Sequence, residues 1–363
     1  MQLRIGYALF LLLFTLLAAE VLLRSVDPFG IRVRGDHIEL VANTDHTWEN
    51  GTLPDIDARI HMHRNSLGFR GADPPTDTTG SLRIIAVGGS TTECQYLSDG
   101  QDWPALLADT ITQHFDRSWT NNAGLDGHST FGHAYLLHDL VLPLRPQVVL
   151  LLIGANEVGR HDIGWFDLEH INNGRERWTW TDHLELLNTW KALRNAAQAK
   201  QGHVMHEAIS PGATFSLTLD SAIVTRALQR ELPLVDRFGE RLAGLVALCR
   251  THGSDPILVT QPTLFSSATD PATGKDLGHF PLGDSLNGDL VARRLALYNA
   301  RTRAIATATG AAVIDLDSLL PGNSTDFYDS YHFTRTGARH VAQRIAEALI
   351  PYLSAHYPQH LER

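Results

Sequence analysis

The sequence predicts an α/β protein organised on a parallel sheet, and three observations carry that reading. Short runs rich in leucine and β-branched residues alternate with helix-period segments from residue 83 onward, the pattern of strand–helix–strand units. The runs at 84–87 and 148–153 are apolar throughout, as strands buried on both faces are. Both break off abruptly, into Gly88-Gly89-Ser90-Thr91 and Gly154-Ala155-Asn156-Glu157. The carboxyl ends of strands are where open α/β sheets place their ligand sites.

Taken in order, the chain opens on an almost wholly apolar run at 5–19, resumed after Glu20 by Val21-Leu22-Leu23. About 20 apolar residues cross a bilayer as a helix, and Glu20 lies near the end of the run, where a charge costs less than at its centre. The run continues past Ala18-Ala19 without a small-x-small cleavage site. Residues 1–26 are therefore read as an uncleaved signal anchor, a transmembrane helix, in preference to a removed signal peptide. Arg24, Arg32 and Arg34 follow on the far side, against a simple positive-inside orientation.

Residues 27–80 read as an arm and linker. Within them Asn65-Ser66-Leu67-Gly68-Phe69-Arg70 suits a strand or arm packed on the next domain through Leu67 and Phe69. Arg70 there would sit in a surface salt bridge or reach a substrate anion. Asp73-Pro74-Pro75-Thr76-Asp77 has linker composition.

The domain at 81–363 then alternates. Strands are expected at 83–87, 119–122, 148–153, 256–260 and 312–316, and helices at 103–115, 134–141, 234–250, 289–308 and 335–353. Pro104 suits a first helical turn. An insertion at about 159–231 exceeds a normal crossover and holds Trp165, Trp178, Trp180 and Trp190. Residues 176–180 alternate like a strand and 181–185 resemble a helix start. The insertion is read as a cap beside the third strand, its tryptophans stacking on sugars or forming the cap's own core.

Composition narrows the partners. With 363 residues, 43% hydrophobic, the chain can bury one substantial core with an inserted lobe. A net charge of −10 without a basic cluster argues against nucleic acid. Cys94 and Cys249 make no disulfide framework or zinc pattern and are expected as free thiols. The 19 histidines are scattered. His61-Met62-His63 and the stretch at 203–207 come nearest to ligand clusters but lack the three or four convergent ligands of a metal site. No cofactor is implied.

Four stretches carry the chemistry: Gly88-Gly89-Ser90-Thr91, Asn122-Ala123-Gly124-Leu125-Asp126-Gly127-His128-Ser129-Thr130, Gly154-Ala155-Asn156-Glu157 and Asp329-Ser330-Tyr331-His332. Each alone has an ordinary explanation, such as a turn serine or a capping aspartate. In this order they resemble blocks I, II, III and V of the SGNH/GDSL hydrolase family, whose serine, glycine, asparagine and histidine would be Ser90, Gly127, Asn156 and His332. The resemblance implies a three-layer α/β/α, flavodoxin-like fold with a five-stranded parallel sheet. Stretches like Asn65–Arg70 precede block I in many membrane-anchored relatives. Block I reads Gly-Gly-Ser-Thr rather than Gly-Asp-Ser-Leu, and Glu157 stands where many members carry aspartate; neither departure removes a catalytic group.

Ester cleavage needs a nucleophile, a base and donors for the oxyanion. Ser90 supplies the hydroxyl, His332 is the candidate base, and Asp329, three residues earlier, can fix its tautomer. The resemblance implies an oxyanion hole from the Ser90 and Gly127 backbone N–H groups and the Asn156 amide. Gly124 is the rival glycine, and the spacing from Asn122 favours Gly127. Glu157 is expected to cap the following helix or orient Asn156. The sequence thus reads as a membrane-anchored serine esterase acting outside the cytoplasm, on acyl groups, O-acetyl above all, of a carbohydrate. Its rivals are a polysaccharide O-acyltransferase with the same triad, a lipid-directed esterase of lysophospholipase or thioesterase type, and a silent binding module, against which the intact triad argues.

Overall fold

The computed structural model describes residues 2–26, 33–34, 37–38, 40–161, 167, 184–187, 189–190, 193, 208–209 and 216–361. The chain divides into two units, Met1–Val41 with Leu168–His206, and Ala42–Asp167 with Glu207–Arg363.

The first unit is dominated by helix α1, Gln2–Val26. Its stretch Arg4–Val26 is long and apolar enough to cross a membrane, and large side chains such as Leu13 and Phe14 stand exposed along it. Glu20, the charge inside the apolar run, is buried. Its carboxylate accepts the Glu185 N–H at 2.9 Å and the Leu186 N–H at 3.0 Å, together with Arg24 Nε at 3.0 Å. Two short strands, β1 (Val33–Arg34) and β2 (His37–Ile38), pair antiparallel. Within the insertion, the expected strand at 176–180 and Trp165, Trp178 and Trp180 lie outside the described residues, as does the His203–Glu207 cluster; a helical turn is described at 185–187.

The second unit opens on an antiparallel hairpin, β3 (Thr44–Glu49) and β4 (Arg59–Arg64). The main sheet follows as β5 (Leu82–Gly88), β6 (Ser118–Asn122), β7 (Val148–Leu152), β8 (Asp255–Val259) and β9 (Ala312–Ile314), all parallel in the order β6-β5-β7-β8-β9. The order reverses between β5 and β7, the switch point at which open α/β sheets bind ligands. The helices are α2 (Ser90–Glu93), α3 (Trp103–Thr112), α4 (Thr130–Leu136), α5 (Ser221–Thr251), α6 (Gly288–Thr309), α7 (Leu316–Leu319) and α8 (Arg335–His356).

The two-residue period of a strand sorts the core. Ile84, Ala86, Leu150 and Leu152 face a cluster built with Trp103, Leu107 and Ile111 of α3 and Val341, Ile345 and Leu349 of α8. Ile85, Val87, Val149 and Leu151, equally buried, point to the other face, where α5 and α6 pack on each other and on β8. Each of the fully buried valine, leucine and isoleucine side chains contributes about 1.5–3 kcal/mol relative to exposure.

Three expectations shift. The helix expected at 134–141 begins at Thr130 and ends in a π-helical turn, Leu137–Val141, because distant carboxylates satisfy its first amides. The helix expected at 234–250 begins at Ser221, capped by the Asp220 side chain on Ala222 N at 2.7 Å, and runs through Pro233. The hairpin β3–β4 lies in a stretch read as turn-rich arm.

Candidate active site

Ser90 follows β5 directly and opens the single turn of α2. Two glycines make that turn possible. A Cβ on Gly88 would overlap Thr92 and the Leu152 carbonyl, and one on Gly89 would overlap Asn156 Nδ2. The tight approach brings the end of β7 against the Ser90 turn. Among the described residues the Ser90 backbone N–H makes no hydrogen bond outside its helix, whose first amide has no acceptor within it.

The 329–332 segment precedes α8 and points back at Ser90. His332 Nε2 lies 2.7 Å from Ser90 Oγ. Its Nδ1 lies 2.7 and 2.9 Å from the two Asp329 oxygens. An ionised carboxylate only accepts, so Nδ1 carries the proton and Nε2 is left to accept from the serine hydroxyl. Asp329 also accepts the Tyr331 and His332 N–H groups at 2.9 and 2.8 Å. Burial pushes the Asp329 carboxyl up, but the His332 charge, the imidazole bond and these two amides outweigh it and hold the group below its ordinary value. Tyr328 stacks on the imidazole, with centroids 5.7 Å apart and planes at 14°. Burial lifts the Tyr328 phenol well above its usual range, so the ring is a neutral wall.

Donors converge on the same place. Residues 123–128 run along the end of β5, with Ala123 N on Ala86 O at 2.9 Å and Leu125 N on Gly88 O at 3.0 Å. His128 N closes a turn on Leu125 O at 3.1 Å, with Gly127 at φ +69°, a conformation that favours glycine. Among the described residues the Gly127 N–H has no partner. The rival Gly124 has a packing role: a Cβ there would lie 2.7 Å from the Thr92 carbonyl carbon. Asn156 sits in the turn after β7 and gives one N–H to His128 O at 2.9 Å; the other has no partner among the described residues. The structure therefore gathers Ser90, His332, Asp329, Asn156 and the Gly127 loop at one strand-end crevice.

Residues 86–340 match the model of the GDSL-like lipase/acylhydrolase family. The chain belongs to that family. It is accordingly an enzyme of the SGNH/GDSL hydrolase type that acts on ester bonds. No curated protein matches it. Among solved structures it is similar to a lipase/acylhydrolase from Enterococcus faecalis (17% identity, 74% of this chain and 96% of that one covered, TM-score 0.41). It is similar also to an acetylxylan esterase from Geobacillus stearothermophilus (14% identity, 73% and 92% covered, TM-score 0.42).

In this GDSL-family chain Glu157 caps a helix, but the preceding one. Its carboxylate accepts the Thr130 N–H at 2.5 Å, and Arg241 binds it at 2.8 Å. Asp167 joins it at the α4 start, accepting Ser129 N at 2.8 Å and Gly132 N at 3.1 Å, with Arg160 at 2.9 Å. Carboxylates there offset the helix dipole. Arg70 is in ion pairs, with Asp99 and Asp102 at 3.5 Å, but from a buried position rather than at the surface. It is buried, and its guanidinium donates to the carbonyls of Glu93, Cys94 and Leu97 at 2.6–2.8 Å. Asn65, equally buried, organises the arm by accepting from Leu67 N and Phe69 N and donating to Ala72 O. Phe69 is packed as expected, whereas Leu67 is half-buried. Cys94 and Cys249 are free and buried. Among the described residues no group of His, Cys, Asp and Glu could hold a metal ion.

Tyr328, Asp167 and Glu93 escaped the sequence reading. Glu93 alone left a signal, an acid three residues after the strand-end serine. Tyr328 and Asp167 belong to no spacing pattern.

Proposed function

We propose that the enzyme is a membrane-anchored esterase that removes short acyl groups, O-acetyl above all, from a carbohydrate by a Ser90–His332–Asp329 mechanism. The observation that carries the mechanism is the continuous hydrogen-bond chain from Ser90 Oγ through the imidazole to the Asp329 carboxylate. Ser90 Oγ attacks the ester carbonyl while His332 Nε2 takes its proton, and the imidazolium then protonates the departing alcohol. Water repeats the sequence on the acyl-serine. Asp329 holds the tautomer and faces the imidazolium charge. The oxyanion is received by the Ser90 N–H, the Gly127 N–H and the second Asn156 N–H, three donors with no competing partner among the described residues.

The anchor reading is supported by α1, whose stretch Arg4–Val26 has the length and apolarity of a membrane span. In this reading the catalytic domain works outside the cytoplasm. The carbohydrate preference rests on composition: at 159–231 tryptophans mix with Arg160, Asp162, Arg175, Glu176, Arg177 and Asp182. Aromatic faces beside hydrogen-bonding groups suit a sugar ring, whereas a lipid pocket is lined mainly by apolar side chains.

The deciding experiment is fluorophosphonate labelling and acetyl-ester hydrolysis by wild type and Ser90→Ala. The variant is expected to stay folded and lose both. Labelling that persists would assign the nucleophile elsewhere.

A further inference from the structure

The stretch 64–70 takes no part in the proposed chemistry, yet both its arginines end on the turn that carries Ser90. Arg70 holds the carbonyls at the end of α2. Arg64 donates to the Gly68 carbonyl at 2.9 Å and forms an ion pair with Glu93, the last residue of α2. The Glu93 carboxylate is 2% exposed, and its other oxygen accepts the backbone N–H of Asp126. That amide adjoins the peptide whose N–H belongs to Gly127.

We propose that Glu93 is a positioning residue for the oxyanion donors, locked in place by Arg64 of the N-terminal arm. The inference rests on the reading of Ser90 as nucleophile and Gly127 as oxyanion donor. Glu93 rides on the same helical turn as Ser90, so its carboxylate ties the donor loop directly to the nucleophile's own element. On the loop's opposite side Asn156 holds His128 O. Between the two clamps Gly127 N–H has no partner among the described residues, and its direction is set by its neighbours. A charged acceptor makes the Asp126 bond stronger than a neutral one would. Burying that charge is tolerable because Arg64 pairs with it. The arm thereby acts at the site without touching substrate.

The test compares Glu93→Gln, Glu93→Ala, Arg64→Ala and Arg64→Lys in the full-length enzyme. Readouts are kcat, KM on an acetyl ester, and the affinity of a trifluoromethyl ketone, which forms a tetrahedral oxyanion on serine. Misplacing a reacting group costs up to about 100-fold, so Glu93→Ala is expected to lower kcat by roughly 10- to 100-fold with KM little changed. Ketone affinity is expected to fall in parallel. Glu93→Gln, which can still accept from Asp126 N, recovers part of the loss, and Arg64→Lys recovers part of the Arg64→Ala loss. Should Glu93→Ala fail to fold, Glu93→Gln and Arg64→Ala decide. Folded variants with wild-type kcat and ketone affinity, or with a loss confined to KM, overturn the proposal. Full activity in Ser90→Ala would instead overturn the underlying assignment of the nucleophile.

Discussion

In the proposed mechanism Asn156 divides its two N–H groups between structure and the oxyanion. One holds the His128 carbonyl at 2.9 Å, and the nitrogen that carries both lies against Gly89, the residue before Ser90. Asn156→Ala is expected to lower kcat by roughly 10²–10³, the usual cost of one oxyanion donor, with KM little changed; raised KM at unchanged kcat in steady-state kinetics would place the residue in substrate binding. Asp329→Asn is expected to lose less activity than Ser90→Ala or His332→Ala, because the aspartate orients the imidazole without transferring its proton. Equal activity in Asp329→Asn and wild type would remove Asp329 from the mechanism. The same carboxylate links stability to pH. Its native value lies below the unfolded one, so the stability it contributes is complete above about pH 4 and is lost as pH falls through the lower native value. Urea titrations between neutral and acid pH are expected to show a shallower acid loss in Asp329→Asn than in wild type.

At the scale of elements, the loop 123–128 and helix α2 are fitted backbone to backbone at Gly124. Gly124→Ala has no flexible side chain to push aside, since the added methyl meets Thr92 and Glu93 main chain. It is expected to destabilise by about 1–3 kcal/mol, as overpacking does, and to lower kcat by lifting the loop from Ser90. A Tm and kcat equal to wild type would show that the loop accommodates it. The strands of the main sheet were legible because unbroken apolar runs leave few alternatives, as at Val148–Leu152. The hairpin β3–β4 was not: β4 turns Ile60 and Met62 inward, but β3 is almost wholly exposed and polar and mimics a loop. The early start of α4 was equally hidden, because Glu157 and Asp167, which satisfy its first amides, lie 27 or more residues away. The full extent of α5 was masked by Pro233, which reads as a boundary in sequence. The candidate site was legible in its reacting groups and illegible in their supports: a serine at a strand end and an Asp-x-x-His carry spacing, whereas Arg64, Arg70 and Tyr328 gain meaning only through folding.

For the whole molecule, the apolar α1 and the ester-cleaving domain predict separable behaviours. The full chain is expected in the membrane fraction, resistant to carbonate, and removal of residues before Asp27 is expected to release a soluble, active domain. A mature chain that begins just after Ala19 and is soluble would replace the anchor with a signal peptide. On substrate, kcat/KM is expected to favour acetyl over butyryl and lauryl esters, with acetate released from an acetylated glycan. A rise through lauryl with no acetate from any glycan would favour a lipid substrate. The two buried cysteines carry a consequence for how the protein meets oxidants. Burial pushes the Cys94 thiol far up and the Cys249 thiol to about 12, so neither offers thiolate to an oxidant while the fold holds. Sulfur chemistry can begin only when the domain opens. Uptake of a thiol reagent would therefore count unfolding events, and the enzyme's chemical ageing would run at the pace of its own unfolding.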